Sequence, residues 1–136
     1  MTENEKELLW KDLCARLPYG VEVEYDNCTC EVCSINKFND ELTILKFPGY
    51  SEIDVKIEDV KPYLFPLSSM TEEQKQEYTY IVNYISSDDT ENWKEGEFIY
   101  VEQFTQLMHF YHINHLDYMG LIPMGLANDA TGLNIY

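Results

Sequence analysis

The residues whose types and spacing could do chemistry are first the cysteines: Cys28, Cys30 and Cys33 in one short stretch, with Cys14 upstream. Zinc takes four soft ligands in a tetrahedron, and three neighbouring thiolates would supply most of them. The spacing is C-x-C-x2-C, however, and the second C-x2-C pair of a zinc ribbon is missing. On a strand, Cys28 and Cys30 share a face while Cys33 points the other way unless a bulge intervenes. The competing reading is that these thiols pack in the core as small hydrophobes. His109, His112 and His115 recur every three residues. The first two could share a helical side and a metal, but His115 rotates away and no H-E-x-x-H pattern is present. Here the competing reading is that partly protonated imidazoles cap the C-terminal end of a helix and interact with its dipole.

Catalytic candidates are few. Cys14 belongs to a helix expected to turn it toward the core, and the clustered cysteines lack a nearby cation that would lower a thiol pKa. Ser68 and Ser69 stand at a helix start and not in a G-x-S-x-G elbow. There is no P-loop and no G-x-G-x-x-G. Carboxylates number 25, so a pair within reach of each other arises by chance and says little. These observations favour a non-enzymatic protein without a cofactor. The alternative is a metal-dependent or otherwise unrecognised small enzyme.

Charge narrows the partner. The 25 acids face only nine Lys and Arg, for a net charge of −16. A nucleic-acid duplex or an anionic membrane would repel such a chain unless a basic patch existed, and the cations are scattered. A protein partner with a basic surface is the expectation, and acidity of this degree raises nucleic-acid mimicry, with carboxylates standing in a partner's phosphate sites. Glu22, Glu24 and Asp26 would line one face of a strand at roughly 6.6 Å spacing, with Glu52 and Asp54 needed on the same surface. The second candidate surface is Asp117 to Met124. There Tyr118, Leu121, Ile122 and Met124 offer more apolar area than a short Gly- and Pro-containing turn buries on itself. The competing reading is that this segment docks the C-terminal region on the preceding helix.

The elements that must position these residues follow from periodicity. Leu8, Leu9, Leu13 and Cys14 fall near helical spacing, with Glu3, Glu5 and Glu7 at the favourable end, and Pro18 and Gly20 stop the helix. Val21, Val23 and Tyr25 then alternate with acids, as do Ile53, Val55 and Ile57, and Cys28–Ile35 and Leu42–Phe47 read as two further strands. Turns are expected at Asp26–Asn27, Asn39–Asp40 and Pro48–Gly49. Four such strands are expected to form a small, strongly bent antiparallel sheet resembling an SH3-like barrel. Lys61–Pro66 carries two prolines and reads as an extended connector. Ser69 with Glu72, or Thr71 with Gln74, forms a capping box for a helix with Tyr78, Ile81, Val82 and Ile85 on its apolar stripe. Residues 86–96 read as one long loop. Val101, Phe104, Leu107, Met108 and Tyr111 mark the last helix, ending near Asn114, and Asp117 caps a short turn beyond it. The sum is a single α+β domain over residues 1–136, with a β subregion at 17–61 and a helical subregion at 69–136.

Three blocks, Leu13–Val21 (LCARLPYGV), Lys61–Thr71 (KPYLFPLSSMT) and Asp117–Ala127 (DYMGLIPMGLA), resemble a family of short uncharacterised proteins common in gut anaerobic bacteria, their prophages and other mobile elements. Met119 stands where that pattern has an arginine. The resemblance implies an accessory protein of a phage or mobile element and transfers no catalytic residue. An acidic N-terminal stretch without an apolar h-region, and apolar runs interrupted every few residues, lead us to expect a cytoplasmic protein with reduced thiols.

Overall fold

The computed structural model describes residues 1–46, 49, 51–86 and 93–136, with side chains described outside 84–86 and 93–101. Helix α1 (Glu3–Arg16) starts where Thr2 Oγ1 accepts the Glu5 N–H at 3.1 Å and the Glu5 carboxylate accepts the Thr2 N–H at 2.8 Å. This reciprocal bonding satisfies donors that the first turn leaves open. A short 3-10 turn containing Pro18 ends it, and Gly20, at φ 77°, redirects the chain.

Strands β1 (Glu22–Tyr25) and β2 (Cys28–Asn36) form a hairpin whose two loop residues, Asp26 and Asn27, both have positive φ. That backbone matches the natural twist of paired strands, and Asp and Asn tolerate it. Strand β3 (Glu41–Lys46) pairs with β2, and β4 (Ser51–Lys56) with β3. The expected turn at Pro48–Gly49 lies partly outside the described residues. A register shift between Val32 and Ser34 marks a bulge at Cys33, the device that bends a strand.

The segment read as a connector is a strand. Lys61–Leu64 forms β5, antiparallel to β1, because the extended backbone its prolines enforce is also strand backbone. Its far edge receives β6 (Asn128–Asp129) in parallel, giving a six-stranded sheet ordered β4-β3-β2-β1-β5-β6. The architecture is mixed α+β, with the N-terminal helix, mostly antiparallel sheet and C-terminal helices expected, and two more strands than the periodicity disclosed. The edge strands β4 and β6 do not pair with one another, so the sheet is open and not a closed barrel.

Helix α2 (Glu72–Ser86) uses the Thr71–Gln74 box: Thr71 Oγ1 accepts the Gln74 N–H at 3.2 Å and Gln74 Oε1 accepts the Thr71 N–H at 2.9 Å. Helix α3 (Trp93–Ile113) begins inside the stretch read as a loop, so residues 93–96 are helical; 87–92 lie outside the described residues. Its inward side matches expectation at Leu107, Met108 and Tyr111, which join one apolar cluster, and departs from it at Phe104. Phe104 is 54% exposed, while Gln103, Phe110, Tyr111 and His112 are buried. Val101, like Ile85 on α2, is among the side chains outside the description.

Two apolar clusters result. Leu9, Trp10 and Leu13 of α1 pack on Val21, Val23, Cys30, Val32, Leu42, Ile44 and Val55, joined by Leu121 and Leu126. Ile81, Phe110, Tyr111 and Leu116 form the second. No helix among the described residues is long and apolar enough to cross a membrane.

Candidate functional site

The segment from Asp117 to Met124 sits where the two clusters meet, and a buried arginine fixes it. Arg16 has no exposed surface. Its Nε donates to Asp12 Oδ2 at 2.8 Å, its Nη2 to the Leu116 carbonyl at 2.7 Å, and its guanidinium lies 5.3 Å from the Tyr118 ring centre. Asp12 is equally buried, and desolvation pushes its carboxyl up while the Arg16 hydrogen bond and charge pull it back. Asp117 caps its turn as expected: its two oxygens accept the Leu121 and Ile122 N–H groups at 2.8 and 2.9 Å. Leu121 is fully buried, Tyr118 and Ile122 are half-buried, and Met124 alone of the set is largely exposed, at 45%. The chain therefore uses most of this segment to fasten its C-terminal region, with Pro123 and Met124 facing outward.

His112 and His115 are not dipole-facing cations. His115 takes the left-handed position after α3, with φ 54°, donating its N–H to the His112 carbonyl while the Leu116 N–H reaches the Tyr111 carbonyl. This is a Schellman stop, usually made by glycine. The His115 ring stacks on Tyr136 at 3.5 Å, and burial together with Arg16 holds its pKa down at about 4. His112 is lowered by burial first and then by Arg16, and its Nε2 lies 2.9 Å from the Tyr118 hydroxyl. His109 bonds the Tyr19 hydroxyl through Nδ1 at 3.2 Å.

The cysteines separate by face. Cys30 is fully buried and Cys28 packs at the edge of the same cluster, whereas Cys33, on the bulge, and Cys14 are exposed. Cys14 thus points away from the core it was expected to join, because Leu9 and Leu13 take the inward side of α1. Burial raises the Cys30 and Cys33 thiols, and the carboxylates of Glu31 and Glu52 raise Cys33 further. Raised thiols are poor nucleophiles and poor metal ligands at neutral pH. Among the described residues no three His, Cys, Asp or Glu side chains gather where they could hold a metal.

The outer sheet face arranges its acids across the strands more than along them. Asp26 lies in the hairpin turn, and Glu24 stands opposite Lys61 and accepts the Tyr63 hydroxyl at 3.4 Å. Glu22 is directly opposite Glu31; Glu31 is opposite Leu45; Leu45 is opposite Glu52. Strand spacing sets neighbours in this row about 4.8 Å apart, or about 9.6 Å where Leu45 intervenes. Glu22 is raised chiefly by burial, with the facing Glu31 charge adding to it. Asp54 shares the face and accepts the Thr43 hydroxyl at 2.7 Å. Glu31 is not among the acids expected on this face, since it stands between cysteines. The alternation that turns Cys30 and Val32 inward was the signal that turns Glu31 outward.

No protein-family model, curated protein or solved structure matches the chain.

Proposed function

We propose that this protein is a non-enzymatic interaction protein that meets a basic protein partner through the outer face of its sheet. The row Glu22, Glu31, Glu52 carries this reading, since a fold that sets Glu22 directly opposite Glu31, with Glu52 beyond Leu45 on the same face, keeps a repulsion that a cation from outside would relieve. The row would take the place of phosphates on a partner that otherwise binds nucleic acid. The three sequence blocks support an accessory role in a phage or other mobile element, acting in the cytoplasm. The Asp117–Met124 segment contributes through Met124, an exposed member, while its other residues hold the turn. No direct nucleic-acid binding and no membrane attachment belong to this reading, because the face is anionic.

The test is capture of partners from a gut anaerobe lysate on the immobilised protein, with a graded salt wash. A basic protein that elutes as salt rises supports the reading, since exposed charges are screened over about 8 Å at physiological ionic strength. Capture that is indifferent to salt would count against it.

A further inference from the structure

Between α2 and α3, beside Tyr19, lies a groove of about 390 Å³ that no role above uses. Glu77, Tyr80 and Ile81 approach from α2 and Gln106 and His109 from α3, each set at the three- and four-residue spacing that shares a helix face. Ile81 is the buried floor, whereas Tyr80 is 69% exposed at the rim and Glu77 is exposed beside it. The groove therefore offers a carboxylate and two tyrosine rings, and none of its described lining residues is lysine or arginine. The interior of this same protein shows what such a set accepts. Around Arg16, the Asp12 carboxylate, the Leu116 carbonyl and the Tyr118 ring hold a guanidinium between them, the carbonyl's part falling in the groove to the Gln106 amide oxygen.

We propose that the groove receives an arginine side chain from a protein partner. A planar guanidinium stacks on aromatic faces and bonds a carboxylate through two parallel N–H groups. Glu77 supplies the counter-charge, Tyr80 and Tyr19 the walls, and the Gln106 amide a further acceptor at the mouth. The occupant is an exposed arginine on a folded or extended protein, and the net charge of −16 favours its approach. This site is on the helical layer and is independent of the sheet-face reading.

The test is an NMR titration of the full chain, labelled with 15N, using acetyl-Gly-Arg-Gly-amide and the same peptide carrying citrulline, which keeps the shape and removes the charge. The arginine peptide is expected to shift the amides of 77–81 and 105–109 and to bind about tenfold more tightly than the citrulline peptide. Glu77→Gln should reduce it to the citrulline level, and Tyr80→Ala should weaken it while leaving the rest of the spectrum folded. Equal affinity of the two peptides, or no saturable binding, would overturn the proposal. Shifts confined to the outer face around Glu22, Glu31 and Glu52 would also overturn it and would leave the sheet-face reading standing.

Discussion

Arg16 and Asp12 form an ion pair with no exposed surface, and each is the other's principal compensation for leaving water. Removing one partner strands a charge, so Arg16→Ala is expected to cost about 3–5 kcal/mol in urea unfolding, whereas Arg16→Met combined with Asp12→Leu should recover most of that loss. His115 gives a second expectation, with its sign set by linkage. It binds its proton at about 4 when folded, against an ordinary value of 6.5, so the unfolded chain takes up the proton first as pH falls. Its stabilisation is whole above about pH 6.5 and is lost as pH drops through 4, a change of about 1–2 kcal/mol after solvent screening. His115→Asn keeps a residue that tolerates the left-handed backbone and removes this titration. Its urea midpoint should therefore fall less steeply between pH 6.5 and 4 than that of the parent, with the remaining slope due in part to His112.

Thr71 and the faces of β2 show how far local rules reach. Thr71→Ala removes the N-cap of α2 and should cost about 1 kcal/mol, read as a lower urea midpoint with an unchanged slope. Maleimide should label Cys14 on α1 and Cys33 on β2 in the folded protein and reach Cys30 only on unfolding; protection of Cys33 would contradict its outward placement. The first hairpin and the capping box of α2 were legible because each is decided within a few residues: Asp26–Asn27 suits a positive-φ turn, and Thr71 reaches Gln74. Strand β5 was not, because prolines announce extended backbone without saying what it pairs with, and its neighbours β1 and β6 are far away in sequence. Of the described residues expected on the inward side of α3, Phe104 alone faces out, for a related reason. Phe104 matched the apolar spacing, yet α2 and Tyr118 meet the side bearing Phe110 and Tyr111. The Arg16–Asp12 spacing was readable as a helical ion pair, but its complete burial depends on residue 116, one hundred positions on.

At the scale of the whole molecule, the proposed interaction draws on the net charge of −16 where acids stand together on a rigid support, and the four antiparallel strands β1 to β4 provide one. Carboxylates retained for binding are expected to weaken the fold slightly. Glu22 illustrates this: its carboxyl is raised, so its contribution diminishes as pH rises through its titration, and Glu22→Gln should gain about 0.3–1 kcal/mol at neutral pH. The most direct measurement of the central claim is the affinity of the salt-eluted partner for the parent protein and for Glu31→Gln combined with Glu52→Gln, both shown to melt at or above the parent temperature. An outer-face interaction predicts binding weaker by about tenfold or more in the double variant, with a shallower dependence on salt. Equal affinity and an equal salt slope would contradict it.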